Sequence, residues 1–379
     1  MKYYIISGEA SGDLHGGNLI RALLRRDPNA QIRYWGGDRM AEAAAEFPQN
    51  TIVQVRHIRD LAYMGIVEVA AHLGTVLGNI SFCKRDIMAF KPDVMVFIDY
   101  PGFNLKIAKF THQKGLRNVY YISPQIWAWK KGRLRPMRRD LDKLCYILPS
   151  EKHFYAHNIM PQALFVGHPL LDEVARYKAV LSLNAVGASH SWQRKIALLP
   201  GSRKHELQKI LPLMTALAAR HPELQFEIAG MSLIGIDFYQ RYIPADIKNI
   251  AISMDRTYGL LGESWAAVVC SGTATLETAL FDVPQVVCYQ ANKISAAIAR
   301  VLIGNHIKYI SLVNLIADAP VVKELIQGDC NLDNIDRELQ AIVTDGPRRQ
   351  SILNGYATVH HLLGGVGASD RVAKTIIDN

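Results

Sequence analysis

The chain has 379 residues, 49% of them hydrophobic and 20% charged, a composition typical of a folded globular protein that excludes a disordered or coiled-coil chain. At roughly 150 residues per domain, this length predicts two domains. Lys and Arg outnumber Asp and Glu by 43 to 34, so the formal net charge of +9 favours anionic partners such as nucleic acid, acidic membrane or phosphorylated metabolites.

In the first part of the chain, short apolar runs alternate with amphipathic stretches. The runs that read as strands lie at residues 3–7, 31–35, 94–99 and 118–123. Helical spacing fills the intervals, for example at residues 18–26 and 105–113. This alternation predicts a parallel sheet covered by helices on both faces.

A second series of the same kind begins after residue 190, with strand-like runs at residues 195–199, 225–230, 266–270 and 285–289. Residues 171–194 are weakly periodic and end in a polar stretch, which predicts a linker. The sequence thus predicts an α/β fold of two Rossmann-like domains, residues 1–170 and 195–345, whose parallel sheets face each other across a cleft.

The five cysteines have no metal-ligand spacing, and their odd number argues against a closed disulfide framework. They predict buried thiols in a reducing compartment, the cytosol. The first apolar run is broken too early for a signal peptide, and no uncharged apolar window reaches about 18 residues. Any membrane contact is therefore expected to be peripheral.

Ligands of such sheets bind beyond the carboxyl ends of the strands, so the loops at those ends carry the candidates for chemistry. In the first loop, residues 7–13, Gly8 and Gly12 permit close backbone approach to a ligand. A tight turn with a helix cap would explain the glycines and Ser11, but it explains Glu9 less well. The loop has neither the GxGxxG spacing of a dinucleotide fingerprint nor the GK[ST] ending of an NTPase loop.

The segment FIDYPGFN places Asp99 at the carboxyl end of a strand, where burial and hydrogen bonding can tune a general base. The alternative role of Asp99 is a turn or a helix N-cap before Pro101. Asp93 begins the same strand at the opposite end, a position that favours a structural role.

Two further segments of the first half combine apolar and basic character. The run YISPQIWAWK at residues 121–130 carries Trp127 and Trp129 and continues into a cluster of Lys and Arg, which suits a lipid or phosphate surface, a solvated basic face or nucleic acid. The nearly uninterrupted apolar stretch at residues 61–77 predicts either a buried helix or one that lies against lipid.

Two loops of the second half point to a nucleotide diphosphate. The motif LLPGSR ends a strand with a glycine turn, a hydroxyl and a guanidinium, supplied by Gly201, Ser202 and Arg203. The motif SGTATLE offers backbone amides to a diphosphate and, one helical turn later, a carboxylate to ribose, supplied by Ser271, Gly272, Thr273, Ala274, Thr275 and Glu277. Either loop alone could be a structural turn, but the pair predicts a nucleotide site. No histidine spacing predicts a metal site.

Nine motifs follow one another from residue 7 to about 327: SGEASGD, MGIVEV, KPDVMVFIDYPGFN, YISPQIWAWK, VGHP, LLPGSR, SGTATLE, YISLVN and VKELIQ. Together and in this order, they resemble the motifs of the lipid-A-disaccharide synthase family. The resemblance implies a GT-B glycosyltransferase whose helices at residues 346–379 return to the first domain. It also implies that UDP-2,3-diacylglucosamine donates its sugar to the 6-hydroxyl of 2,3-diacylglucosamine 1-phosphate, with inversion, and that no metal or other cofactor takes part.

The resemblance further implies roles for single residues. Asp99, Glu9 and Asp93 are the candidates for the base that inversion requires, and Arg203 is the candidate for the cation that stabilises departing UDP. The residues expected near the donor sugar are Asn314, Glu324 and Gln327. Those expected on the acceptor or lipid side are Ser11, Gly12, Asn104, Met64, Ile66, Val67, Val69, Trp127 and Trp129.

One position departs from the family pattern, because many members carry an acid where this chain has Gly102. That position supplies no base here, which favours Asp99. The partners implied are the two lipid-linked sugars and the anionic cytoplasmic face of the inner membrane, with no nucleic acid; the oligomeric state stays open, a dimer included.

Two alternatives remain. A UDP-N-acetylglucosamine 2-epimerase would share the diphosphate loop and the ribose carboxylate but needs no lipid surface. A basic nucleic-acid-binding protein would explain the net charge and the tryptophan-rich basic run, but not the paired nucleotide loops.

Overall fold

This computed structural model describes residues 1–61, 73–124, 131–158, 160–184, 194–290 and 308–378. The chain divides into two compact units. Residues 1–172 together with 365–379 form the first unit, and residues 173–364 form the second. Within the described ranges, no helix combines the length and the apolar character needed to cross a membrane.

Each unit is built on a parallel sheet. Across the described part of the first unit the strand order is β3-β2-β1-β4-β5-β6-β7, formed by β1 (Lys2–Ser7), β2 (Gln31–Gly36), β3 (Ile52–His57), β4 (Val94–Ile98), β5 (Arg117–Tyr121), β6 (Lys143–Tyr146) and β7 (Ala163–Phe165). Across that of the second the order is β10-β9-β8-β11-β12-β13, formed by β8 (Lys195–Leu199), β9 (Gln225–Gly230), β10 (Ile250–Met254), β11 (Ala266–Cys270), β12 (Gln285–Tyr289) and β13 (Lys323–Ile326).

Helices connect the strands, as parallel pairing requires. In chain order they are α1 (Ala10–Arg26), α2 (Asp38–Ala45), α3 (Leu73–Phe90), α4 (Pro101–Gln113), α5 (Leu134–Asp140), α6 (Glu151–His157), α7 (Leu170–Asn184), α8 (Lys204–Arg220), α9 (Ile236–Gln240), α10 (Thr257–Gly262), α11 (Thr273–Leu280), α12 (Leu312–Ala317), α13 (Leu332–Val343), α14 (Pro347–Leu362) and α15 (Ala368–Ile377).

The first sheet is buried on both faces, which explains why its central strands are continuous apolar runs. Side chains alternate along a strand, so Tyr3 and Ile5 pack into the core formed with α1, α2 and α15. Tyr4 and Ile6 pack into the opposite core, formed with α3, α4, α5 and α6. The two cores fix the sheet, and with it the positions of the loops at the strand ends.

The last helix, α15, is anchored to the first unit by side chains far away in sequence. Asp172 accepts hydrogen bonds from the amides of Gly367, Ala368 and Ser369, which caps the start of α15. At the other end, the Arg117 guanidinium donates to the carbonyl of Ile376 at 2.6 Å. These contacts explain why residues 365–379 belong to the first unit.

The segment predicted to return, residues 346–379, is divided between the two units. Helix α14 lies in the second unit, where buried Tyr356 donates to the Val283 carbonyl at 3.1 Å and accepts from Gln285 at 3.0 Å. Much of the predicted linker, residues 171–194, is helical. It is formed by α7, which begins in the first unit and continues into the second.

Candidate functional site

A cavity of about 260 Å³ lies in the second unit at the carboxyl ends of β8, β9 and β11. Its walls are the loops that follow these strands together with the N-terminal parts of α8, α10 and α11. The residues predicted from the sequence that line it are Gly201, Ser202, Ser271, Gly272, Thr273, Ala274 and Glu277. The two loop motifs therefore meet around one cavity, although they are separated by about 70 residues of sequence.

The loop after β8 depends on Gly201. Its φ angle of +102° lies in the region that favours glycine, and a Cβ atom there would come within 2.9 Å of the Glu206 carboxylate and 3.3 Å of the Cys270 sulfur. Ser202 is exposed, and so is Arg203, whose side chain is 67% accessible. The Arg203 guanidinium lies 3.7 Å from the Glu206 carboxylate, a weak exposed ion pair that leaves the guanidinium available to an anion.

The loop after β11 is fixed by its hydroxyl groups. Ser271 Oγ donates to the Ile310 carbonyl at 3.1 Å, and buried Thr275 Oγ1 donates to the Gly272 carbonyl at 2.8 Å. Thr275 therefore holds the loop and does not line the cavity. The amides of Thr273 and Ala274, at the start of α11, have no partner within the helix, which makes this helix end suited to an anion.

Glu277 points into the cavity from α11, and Tyr258 donates a hydrogen bond to its Oε1 at 2.9 Å. Burial raises the pKa of Glu277, the Tyr258 hydroxyl lowers it, and the nearby charge of Glu173 raises it again. The carboxylate keeps a second oxygen for a ligand hydroxyl. Tyr258 was not among the residues predicted from sequence.

Two of the residues predicted near the donor sugar, Asn314 and Glu324, form an anchoring network. Glu324 accepts hydrogen bonds from the Ile310 amide, and from both the amide and the hydroxyl of Ser311. Asn314 exchanges hydrogen bonds with the backbone of Val322 and donates to Glu324 at 3.0 Å. Through Ile310, which Ser271 contacts, Glu324 supports the loop after β11.

Gln327 follows β13 with a φ angle of +54°, and like Asn314 and Glu324 it is not among the residues that line the cavity. The side chains of Asn314 and Glu324 are thus placed to hold the fold of this region. Direct contact with a donor sugar stays a prediction for all three residues.

In the first unit, Asp99 stands at the carboxyl end of β4 with a φ angle of +44°, and Tyr100 follows with +50°. Two consecutive non-glycine residues in this region indicate strain of the kind found at functional sites. The strain is held by Asn104 and Tyr120, which both donate to the Asp99 carbonyl, Asn104 at 2.7 Å. Asn104 is fully buried and also donates to the Ile6 carbonyl.

The surroundings of Asp99 suit a general base. Burial raises the pKa of its carboxyl group to about 6, and the charge of Glu9 adds to the rise. The Tyr100 amide and the positive charge of Arg133 act in the opposite direction. The structure thus brings together Asp99 and Glu9, two of the predicted catalytic carboxylates, and adds Arg133.

Most residues of the SGEASGD loop are explained by their packing and their main-chain hydrogen bonds. A Cβ at Gly8 would lie 2.4 Å from the Tyr100 ring, and one at Gly12 would lie 2.5 Å from Ser7 Oγ. Asp13 accepts hydrogen bonds from the amides of Gly37, Arg39 and Met40 and so caps α2. Glu9 is half-buried and Ser11 is exposed, so these two remain available to a ligand.

Asp93 lies at the other end of β4. It accepts a hydrogen bond from the Lys2 amide at 2.7 Å, which ties the starts of β1 and β4 together. This position separates it from Asp99 by the full length of the strand, so the carboxylate cannot share a substrate atom with Asp99. Asp93 is therefore placed for a structural role, and a catalytic role for it stays a prediction.

Comparison with known proteins identifies the family. A family model described as lipid-A-disaccharide synthetase matches residues 3–364. The chain belongs to this family. It is 35% identical to the lipid-A-disaccharide synthase of Geobacter sulfurreducens, over 99% of this chain and 96% of the relative, and 37% identical to that of Syntrophus aciditrophicus, over 97% and 95%.

Solved structures confirm the fold class. The UDP-GlcNAc 2-epimerase from Neisseria meningitidis, bound to UDP-GlcNAc, superposes with a TM-score of 0.67 at 12% identity over the whole of both chains. The glycotransferase of kitacinnamycin gives 0.61 at 14% identity, over 99% of this chain and 98% of its own. The predicted α/β GT-B architecture is therefore correct, and the chain is a glycosyltransferase of the lipid-A-disaccharide synthase family.

Several residues that the family resemblance assigned to the lipid side lie outside the described ranges: Met64, Ile66, Val67, Val69, Trp127 and Trp129. Of the adjoining described residues, Leu77 on α3 is 53% exposed, and Arg135 and Arg138 on α5 are exposed. Arg139 is also exposed but pairs with Asp140 at 2.6 Å. A lipid-facing role for this region of the synthase stays a prediction.

Proposed function

We propose that this chain transfers the sugar of UDP-2,3-diacylglucosamine to the 6-hydroxyl of 2,3-diacylglucosamine 1-phosphate, with inversion, giving the β-1,6-linked disaccharide 1-phosphate and UDP. Family membership supports the reaction class. The observation that carries the proposal is the cavity at the strand ends of the second unit, where both predicted nucleotide loops converge.

The donor binds through its UDP group in this cavity. The diphosphate is held by the amides at the start of α11 and by Arg203, whose exposed guanidinium suits a bidentate contact with phosphate. Glu277 accepts hydrogen bonds from the ribose. Because negative charge develops on the diphosphate as the sugar leaves, the same amides and Arg203 stabilise the departing group.

The acceptor binds to the first unit, where Asp99 removes the proton from the attacking hydroxyl. A carboxylate whose pKa is about 6 is mostly ionised at neutral pH and more basic than an ordinary aspartate. Glu9 supports this basicity through its charge, and Ser11 and Gly12 border the acceptor. No metal or other cofactor is needed, because cationic and amide groups of the chain carry the developing charge.

We further infer that the protein works at the anionic cytoplasmic face of the inner membrane without crossing it. Its acylated substrates reside there, and the exposed Arg135 and Arg138 would each contribute on the order of 1 kcal/mol to binding an anionic surface. Charge reversal at both positions is expected to weaken binding to anionic vesicles. Unchanged vesicle binding would remove this role for α5.

The reaction is tested with purified protein, both lipid-linked sugars, detergent and EDTA, by following products with mass spectrometry. Disaccharide 1-phosphate together with UDP supports the transfer and its independence from metal. Absence of product from folded protein that still binds UDP would contradict the acceptor assignment and leave only the nucleotide site.

The fold similarity to UDP-GlcNAc 2-epimerases supports a second candidate. An enzyme of that kind would convert UDP-GlcNAc without an acceptor. Incubation with UDP-GlcNAc alone, followed by nuclear magnetic resonance of the sugar, separates the two. We expect no conversion, because the chain matches the synthase family over nearly its whole length.

A further inference from the structure

Tyr258 reaches Glu277 from outside the cavity. Glu277 and the neighbouring Thr257 line the cavity, whereas Tyr258 is not among the lining residues. Its hydroxyl nevertheless donates to Glu277 Oε1 at 2.9 Å. Tyr258 is therefore placed to act on a ligand only through Glu277.

The ring of Tyr258 is held in place by two other aromatic side chains. It packs edge-on against Tyr177 of α7, with ring centres 5.5 Å apart, and at a tilt of 47° against Phe281, with ring centres 5.3 Å apart. Tyr177 and Phe281 also contact each other at 6.2 Å. Because three rings in mutual contact leave little freedom of rotation, the position of the Tyr258 hydroxyl is set before any ligand arrives.

The hydrogen bond divides the two oxygens of Glu277 between two tasks. Oε1 is occupied by Tyr258, which leaves Oε2 to accept hydrogen bonds from a ligand hydroxyl. The bond also opposes neutralisation of a carboxylate that is buried and faces the charge of Glu173. Glu173 is in turn paired with Arg176 at 2.6 Å, so its negative charge is partly balanced on α7.

We propose that Tyr258 is a positioning residue for nucleotide recognition, which orients the Glu277 carboxylate toward the ribose hydroxyls. This inference rests on the proposed function, because it takes the cavity ligand to be a uridine nucleotide. A positioning role also explains why the Tyr258 hydroxyl donates to one oxygen of a carboxylate whose other oxygen serves the ligand.

The test compares the binding of UDP and 2′-deoxy-UDP by isothermal titration calorimetry. For the native chain we expect UDP to bind about tenfold more tightly, the discrimination given by one hydrogen bond to a charged group. In Tyr258→Phe this discrimination is expected to fall to within about twofold, because the free carboxylate is no longer oriented. Tyr242→Phe, in the same unit but away from the cavity, is the matched control and should keep the native discrimination.

Glu277→Gln and the double variant provide a second measurement. The double variant combines Tyr258→Phe with Glu277→Gln. If Tyr258 acts through Glu277, this variant should bind UDP no more weakly than Glu277→Gln alone, because Tyr258 has no effect on UDP once the Glu277 carboxylate is gone. A merely structural effect of Tyr258→Phe would instead lower UDP and deoxy-UDP affinity equally and add to the effect of Glu277→Gln. Thermal unfolding of each variant reports whether the fold is retained.

The outcomes separate this inference from the proposed function. Retained discrimination in Tyr258→Phe would overturn the positioning role, and so would equal binding of UDP and deoxy-UDP by the native chain, while either result leaves the nucleotide site intact. Failure of the native chain to bind UDP at all would overturn the proposed function and the inference with it.

Discussion

Replacing Asp99 by Asn removes the proposed base while preserving the shape of the side chain. Asparagine tolerates the φ angle of +44° at this position better than most residues. The hydrogen bonds from Asn104 and Tyr120 reach the carbonyl of residue 99 and not its side chain, so they persist in the variant. We expect kcat/KM to fall by about 100- to 10,000-fold, the usual contribution of a general base.

The same substitution is expected to stabilise the fold. The pKa of Asp99 is about 6 in the folded chain, above its value of about 4 in an unfolded one, so the folded state binds the proton more tightly. The resulting stability is present below about pH 4 and is lost as the pH rises through about 6. At neutral pH the ionised carboxylate therefore destabilises the fold by about 1 to 3 kcal/mol, the lower figure allowing for solvent screening, and Asn removes this penalty.

Two measurements check the argument together. Turnover is followed by mass spectrometry of the disaccharide, and stability by urea unfolding at neutral and acidic pH. Near pH 5, the native kcat/KM should be about tenfold lower than its plateau value at higher pH, because about one-tenth of the Asp99 carboxyl groups are then ionised. Asp93→Asn is the control at the opposite end of β4: it should keep turnover, and its side-chain oxygen can still accept the Lys2 amide. Near-native turnover of folded Asp99→Asn, or its destabilisation at neutral pH, would refute the reasoning.

Three further predictions address separate parts of the chain. Glu9→Gln should move the acidic limb of the pH–rate profile to lower pH, because the charge of Glu9 raises the pKa of Asp99; an unmoved limb contradicts their coupling. Gly201→Ala should weaken UDP binding at least about tenfold in calorimetry, since its Cβ is crowded and its φ is positive, whereas unchanged affinity would separate this turn from the site. Asp172→Ala should lower the free energy of unfolding by about 1 kcal/mol or more in urea by removing the cap of α15; unchanged stability would argue against that anchor.

The fold was predictable where burial dominates the sequence pattern. The strands β1, β4 and β11 are nearly all buried, so their apolar runs stand out without any knowledge of their neighbours. Five strands were not predicted: β3, β6, β7, β10 and β13. Strands β3, β7, β10 and β13 are partly exposed, and β3 and β13 carry polar residues, as in IVQVRH and KELI. Strand β6 is largely buried but has only four residues. Their pairing depends on the neighbouring strand, which a local pattern does not contain.

The candidate site was predictable to the extent that topology fixes it. Parallel strands bring their carboxyl ends to one edge, so Gly201, Glu277 and Asp99 could be selected from position alone. The hydrogen bond of Tyr258 to Glu277 and the effect of the Arg133 charge on the pKa of Asp99 could not be predicted, because each joins separate elements whose distance in space is set by packing. No motif spacing carries that information.

Polar residues at strand ends serve two purposes that look alike in a sequence. Buried backbone groups at the end of a strand need partners, and Asn104, Asp13 and Asn314 supply them, each bonded to several main-chain atoms. A residue used in this way has little capacity left for a substrate. The number of main-chain bonds that a side chain makes therefore separates these anchors from residues such as Glu277.

Asp99 shows the consequence for the proposed chemistry. Because Gly102 supplies no carboxylate to this loop, the orientation of Asp99 matters more. Asn104 and Tyr120 hold its backbone in a strained conformation, so the side chain is aimed by the main chain. Among the residues that the structure describes, the Tyr100 amide is the one hydrogen-bond donor that lowers the pKa of this carboxylate. The carboxylate therefore retains the capacity to accept a proton from an incoming hydroxyl.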